Sequence, residues 1–524
     1  MLRTLAALFI STTVLTSTGA DAPAPVPVDR ALSSITLPEG FHATLFAGEP
    51  NVVQPIAMTT DARGRLWVVE CLSYPDWSTN QFGPDRVSIF EDTDGDGQFD
   101  RKKVFYDKGR NLTGIALGFG GVYLCSLPEL IWIPDEDGDD QPDGPAQVLL
   151  DGWDMNSKHN AFNGLTWGPD GWLYGCNGIL GNGRIGQPGT PDEQRVPFNC
   201  GVWRFHPLKK KFEVVATGTT NPWGIAFDQY GQMFVANCVI KHLFHVIPGA
   251  HYSRMFGQDF SPFYFDLIPS IADHIHWIGG AWNVQGSYNP QNDVTGGGHA
   301  HCGAFIYQGE EWPEKYRNSF FTINIHGHRV NNDLLVRQGS GYVGKHGADF
   351  LRVNDTWFRG VALAPSADGG LYVTDWSDAG ECHDYDDIHR ENGRIYKVVV
   401  GSKPARNLDL SKATNEQLVS NLRSKDEWLA SHSRLLLQER AAKSKVSESL
   451  GTALFKVISE PDLATHQKLN ALWTLHAIGA LRKADHKIAA DLLGNDDQYI
   501  RAWTIQLLLE EGNPSDALVD RLSE

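Results

Sequence analysis

The chain has 524 residues, 41% hydrophobic and 21% charged, enough for two or three domains with a sizeable core and too apolar for a disordered chain. A formal net charge of −18 excludes nucleic acid as a partner, because its phosphates would be repelled. The 16 Trp and 53 Gly favour a β-rich body, in which aromatics cover half-buried pleats and Gly supplies turns.

Met1-Leu2-Arg3, an apolar run from Leu5 to Leu15 and small residues through Ala22 form the three regions of a secretory signal peptide over residues 1–22. The mature chain is therefore expected in the periplasm or another extracytoplasmic compartment. An uncleaved anchor is the alternative, but the run is short of the ~20 residues that span a bilayer, and no other stretch could span one. Residues 23–33 begin as a Pro-rich linker.

Residues 34–400 read as strands throughout. One hairpin recurs at Asp61–Val68, Gly120–Leu124, Leu165–Tyr174, Asp228–Val235 and Ala367–Val373, each turning on a Gly: Gly64, Gly121, Gly171, Gly231 and Gly369. A strand-turn-strand period of about 50 residues points to a β-propeller. The double gap before Gly369 is filled by Phe320–Ile325, which makes six blades, with Phe256–His299 as a long insertion. From 406 to 524 the period turns helical. Asn415–Leu422, Trp428–Glu439, Leu469–Ile478 and Tyr499–Glu510 carry apolar residues at i, i+3, i+4, and their similarity suggests HEAT-like repeats; an irregular bundle is the alternative.

The seven Cys (71, 125, 176, 200, 238, 302, 382) contain no Cys-x-x-Cys and no Cys-x-x-Cys-His, so neither a zinc ribbon nor covalent haem is encoded. In an exported chain some could pair, Cys176 with Cys200 for example.

Chemistry concentrates in the loops that enter the blades. His159, followed by Asn160 and Asn163, is placed for general-base work if its loop lies at the mouth of the central channel. Asn111, Asn221 and Arg359 hold comparable positions before other hairpins, and such convergence is what a binding pocket needs. A second group is histidine-rich. His299 and His301, and His326 and His328, form His-x-His pairs whose rings share a strand face and suit a metal; His242, His245, His251, His274, His276, His383 and His389 lie elsewhere. Asp92, Asp94, Asp96 and Asp100 occupy loop positions 1, 3, 5 and 9 with Gly97 at 6, a Ca²⁺-wrapping pattern that lacks the acid at position 12, where Lys103 stands. Asp135–Asp143 repeats the spacing with Asp140 in place of the Gly.

Leu37-Pro38-Glu39-Gly40-Phe41, Glu91–Gly97, His159-Asn160 with Gly168–Gly171, Asn221-Pro222-Trp223-Gly224, Gly298–Gly303, Tyr372–Trp376 and Gly393–Tyr396 together resemble a known family. It is the N-terminal domain of large, mostly uncharacterised bacterial proteins named as membrane-bound dehydrogenases, related to soluble quinoprotein glucose and aldose sugar dehydrogenases. The resemblance covers residues 34–400. It implies a six-bladed propeller with pyrroloquinoline quinone (PQQ) over the channel, assisted by Ca²⁺. His159 would then be the base that takes the proton of a sugar or alcohol hydroxyl and Asn221 a cofactor contact; Asn160 and Arg359 are assigned to binding cofactor or substrate from their loop positions. Relatives carry Arg immediately before the Asn, where this chain has Thr220. Such proteins often continue through helical repeats into a cytochrome c domain; without a haem motif here, electrons would pass to an external acceptor such as a cytochrome c. Two other readings remain: a non-catalytic module binding glycan or protein, and a metal-dependent hydrolase using the His-x-His pairs.

Overall fold

The computed structural model describes residues 24–239, 241–257, 259–260, 266–279, 290–380, 388–401, 408–444, 447–481, 491–510, 512 and 516–523. The expected signal peptide, the middle of the 256–299 insertion, Cys382 and His383 lie outside them.

Six antiparallel sheets are arranged as the blades of a propeller. Their innermost strands are Pro55–Thr60, Leu112–Leu117, Asn163–Trp167, Asn221–Phe227, His301–Ile306 and Leu363–Pro365, each packed beside the next around the ring. Blade 4 has three strands, whereas blade 5 grows to six by adding the Gly341–His346 hairpin arm, Leu351–Val353 and the N-terminal pair Ile35–Thr36. Phe41–Gly48 from the N-terminus pairs with Arg394–Val400, so blade 6 joins both ends of the propeller and closes the ring. Each blade-to-blade interface holds its own apolar cluster, with Trp203 between blades 2 and 3, Trp172 between blades 3 and 4 and Trp312 between blades 5 and 6, all three fully buried.

The recurring turn has a local cause. Asp61 Oδ1 accepts from the backbone N–H of Arg63 and Arg65, and Asp228 Oδ1 accepts likewise from Tyr230 and Gln232. Gly64 and Gly231 then take φ of +80° and +72°, where a Cβ is disfavoured. These turns all lie at the C-terminal ends of the inner strands, hence at one end of the channel.

That end is closed by the C-terminal helices, Asn415–Asn421, Glu427–Lys443, Glu448–Ser459, Thr465–Ala477 and Gln498–Leu509. Asp426 and Asp497 cap two of them through Trp428 N and Tyr499 N, and Thr414 forms a capping box with Gln417. Against the propeller, Trp428 Nε1 donates to Thr60 Oγ1 (2.9 Å), Gln438 Nε2 to Gly171 O (3.0 Å) and Trp503 Nε1 to Tyr230 O (2.7 Å). Glu439 accepts from Phe119 N at 2.7 Å, and Tyr499 stacks on Tyr230 with centroids 4.0 Å apart. A cavity of about 540 Å³ remains between these helices and the inner strands. No helix among the described residues is long and apolar enough to cross a membrane.

Cys71, Cys125, Cys176 and Cys200 are buried and form no disulfide, so the candidate Cys176–Cys200 pairing is not formed; Cys176 lies in the strand Leu173–Asn177 and Cys200 just before the strand Gly201–His206, and burial pushes the Cys200 thiol up to about 12.

Candidate functional site

The other end of the channel, where the inner strands begin, collects the loop residues singled out above. His159 closes a 3₁₀ turn, Met155–Asn160, that Asp154 caps and that Lys158 breaks with φ +47° and ψ −125°. Thr219, just before the neighbouring inner strand, has φ +69°, an unfavourable value for a β-branched residue. Strained backbone therefore flanks both segments that form the mouth, as is common where function constrains a loop.

These segments are tied together. Asn221 Nδ2 donates to the carbonyl of His159 (3.1 Å), while Asn237 Oδ1 accepts from Thr220 N and Asn221 N (3.0 and 2.9 Å). Asn163 Nδ2 donates to the carbonyls of Ala161 and Pro222, and Asn160 Oδ1 receives a long 3.4 Å bond from Leu180 N. With their amide hydrogens so engaged, Asn163 Oδ1 and Asn221 Oδ1 are buried without a partner, and Thr220 Oγ1, Ser157 Oγ and Gln54 Oε1 are too. A Cβ built on Gly178 would stand 2.5 Å from Asn160 Oδ1 and 2.6 Å from Asn221 Oδ1, so the glycine keeps open the space on which both oxygens converge. Buried acceptors without donors are costly, by about 1–3 kcal/mol each, and a ligand carrying hydroxyl hydrogens would satisfy them.

Two expected members of the mouth are otherwise engaged. Asn111 clamps the 78–80 loop, with Nδ2 to Ser78 O and Leu127 O and Oδ1 accepting from Ser78 N. Arg359 is buried and donates to the carbonyls of Thr356, Phe358, Ala379 and Gly380, with His328 Nε2 3.1 Å from its Nη1. It binds loop to loop.

The four histidines of the His-x-His pairs fall into three neighbourhoods. His328 faces Arg359, while His299 and His326 lie with rings 4.3 Å apart. His301 turns away from His299 because the strand begins only at His301, after three glycines with φ of +123°, +114° and +158°; strand alternation does not extend back to His299. His301 instead joins His242, His274, His276 and Asp333, a group that also draws on blade 4, the insertion and blade 5. His242 Nε2 is 3.0 Å from Asp333 Oδ2, His274 Nε2 is 3.1 Å from Asp333 Oδ1 and 3.2 Å from His276 Nε2, and His276 Nδ1 is 2.9 Å from His301 Nε2. Burial, then His242, takes the His276 ring down to about 2. Burial would raise Asp333, yet the His242 and His274 contacts hold it below the usual carboxylate range. Of this group only His301 stood out in the sequence, although His274-Ile275-His276 has the same spacing as the two pairs that did.

The acidic loops lie at the far end. Register places Glu91 beside Arg101, with Phe90 opposite Leu66 next to the Gly64 turn, so Asp92, Asp94, Asp96 and Asp100 sit with the helices and away from the mouth. Asp92 accepts from Gly95 N and Gly97 N and contacts Lys397 at 3.4 Å, Asp94 and Asp96 accept from Asp96 N and Gln98 N, and Asp100 accepts from Thr93 N. The carboxylates of Asp92, Asp94 and Asp96 still offer oxygens within 4.8 Å of one another. In the second loop Asp140 takes φ +67°, the conformation Gly97 holds in the first, and pairs with Arg65.

Residues 27–402 match the family model described as a domain of unknown function, DUF7133. No curated protein matches the chain. Among solved structures it is similar to the PQQ-bound aldose sugar dehydrogenase of Streptomyces coelicolor (14% identity, TM-score 0.43, covering 70% of this chain and 100% of that one). It is also similar to the holo PQQ domain of pyranose dehydrogenase from Coprinopsis cinerea (13%, 0.43, 70% and 97%) and to the apo soluble aldose sugar dehydrogenase of Escherichia coli (12%, 0.39, 69% and 100%).

Proposed function

The chain belongs to the DUF7133 family, whose description assigns no activity, and from its open mouth we propose a site that binds the hydroxyls of a sugar or alcohol, with dehydrogenation of the quinoprotein type as the reaction. The observation that carries the binding half is the set of buried, partnerless acceptors, Asn163 Oδ1, Thr220 Oγ1 and Asn221 Oδ1, beside the gap that Gly178 keeps open. The reaction half rests on the family resemblance and on His159, half-buried on the same loop, as the group that would take a hydroxyl proton.

PQQ, the cofactor that this resemblance implies, would supply an o-quinone as hydride acceptor and carries three carboxylates. Two positions do not fit those carboxylates: Arg359 is held by four carbonyls, and Thr220 stands where an Arg is expected, so neither offers a bidentate partner. The same observation favours a second reading, recognition of a glycan without chemistry. Calcium, on either reading, belongs to Asp92, Asp94, Asp96 and Asp100 as a structural ion remote from the mouth. Export through residues 1–22, an external electron acceptor such as a cytochrome c, and a HEAT-like character for the C-terminal helices complete the proposal.

Calorimetric titration of the full chain with a panel of sugars and alditols, with and without PQQ and Ca²⁺ and followed by dye reduction, tests both halves. Binding by wild type and its loss in Gly178→Ala, which removes no polar group, is the expected result. Dye reduction lost in His159→Ala would establish the dehydrogenase; binding without reduction leaves recognition, and no saturable ligand sinks the site.

A further inference from the structure

We propose that His242, His274, His276 and Asp333 form a four-ligand site for a divalent transition ion of the Zn²⁺ class, which fastens the insertion to blades 4 and 5. The inference does not depend on what the mouth binds.

The argument is one of proton accounting. His274 Nδ1 lies 3.0 Å from Asp273 Oδ1, so its hydrogen is on Nδ1 and the lone pair is on Nε2. His276 Nδ1 faces His301 Nε2 at 2.9 Å, and a hydrogen on His276 Nδ1, donated to His301, turns the lone pair of His276 Nε2 toward His274. The His274 Nε2 lone pair then faces a carboxylate oxygen, Asp333 Oδ1, at 3.1 Å, and that oxygen is buried without a hydrogen-bond donor; His276 Nε2 lies 3.2 Å from His274 Nε2. Two acceptors in contact without a donor require a cation between them, an ion or a second proton on His274. His242 Nε2, 3.0 Å from Asp333 Oδ2, completes the set, and the ligand nitrogens of the three histidines lie within 4.8 Å of one another.

The spacings suit an ion. Metal–ligand bonds of about 2.0–2.1 Å place the ligands of a tetrahedron about 3.3 Å apart. The hydrogen-bond partners match too: Asp273 behind His274 and His301 behind His276 orient the rings as outer-shell groups do in such sites. Burial argues for a structural ion. His242, His276 and Asp333 are 1%, 2% and 0% exposed, and four protein ligands leave no open position for a substrate. The ligands come from three separate segments: the hairpin before Leu243–Val246 in blade 4, the 266–279 part of the insertion, and Arg329–Gln338 in blade 5.

The test is the metal content of the full chain purified without an immobilised-metal step, followed by chelation and titration with Co²⁺. One ion per chain and an intense visible Co²⁺ band of tetrahedral type are expected, both lost in His274→Ala. Asp273→Asn, which removes only the outer partner, should weaken Co²⁺ binding about 10–100-fold while the melting temperature of the chelated protein stays at the wild-type value. The proposal is overturned by a wild-type chain that neither retains an ion nor develops the band, by equal ion content in His274→Ala, or by an ion lost instead in the double variant Asp94→Asn, Asp96→Asn.

Discussion

The two ends of the channel are built from the same six strands, and their loops meet different partners. At the helix-covered end, the strand ends and turns meet partners from the helices: the Thr60 hydroxyl meets Trp428, and the carbonyls of Gly171 and Tyr230 meet Gln438 and Trp503. At the open end, Asn163, Thr220 and Asn221 keep buried oxygens without any. The closed end encloses the cavity of about 540 Å³, and in its lining Asp135 Oδ1 and Trp473 Nε1 are likewise buried without partners.

The comparison is broken most directly by uncovering the closed end. Trp428→Ala removes a ring that is 5% exposed together with its bond to Thr60, and should cost about 3–5 kcal/mol. Calorimetry should then show the melting temperature falling by several degrees, with ligand binding at the mouth unchanged; an unaltered melt would mean that the helices do not brace the propeller.

Each end also contains a carboxyl raised by burial, and pH sharpens the contrast between them. Asp228, in a turn at the closed end, is pushed to about 6, and Asp375, beside the mouth, to about 7. A carboxyl raised in the folded state stabilises fully below its unfolded value of about 3.9 and loses that contribution as pH rises to its folded value. Asp228→Asn should therefore gain on wild type from about pH 4 to 6 and then level off, and Asp375→Asn from about pH 4 to 7. The gain for Asp375→Asn is on the order of 2–4 kcal/mol, read from denaturant melts across that range. A gap independent of pH would show that Asp375 is not buried as described. Its Oδ1 accepts from Arg359 N and Ser377 N, bonds that Asn can keep, which isolates the charge.

The smallest expected effect comes from Gly231→Ala. Its φ of +72° and a Cβ 2.6 Å from the Trp503 ring should lift the Gln498–Leu509 helix from blade 4 at a cost of about 1–2 kcal/mol. Hydrogen exchange should quicken in that helix and not around His159; a uniform change would argue against a local contact.

What was legible in the chain was the repeated turn, and the reason is that it is local. Asp61 and Asp228 satisfy N–H groups two and four residues on, and Gly64 and Gly231 follow at the position that needs positive φ, so each blade announces itself within about ten residues of sequence. The helical period after residue 414 was legible for the same kind of reason, with caps at Thr414, Asp426 and Asp497.

The mouth was legible only in part. That His159, Asn160 and Asn221 come together follows from blade order, whereas Arg359 and Asn111 proved to be clamps because the loops they hold, 377–380 and 78–80, approach them only in the folded ring.

The sequence by itself determined a propeller followed by helices, since turn chemistry and hydrophobic period depend on near neighbours. Tertiary structure alone decided that Asp333 meets His242 and His274 across 91 and 59 residues of chain, that His299 and His301 face apart, and that the glycine turns carry the helices. Such pairings depend on which blade edges face each other and on the path of the insertion, and no short-range pattern encodes either.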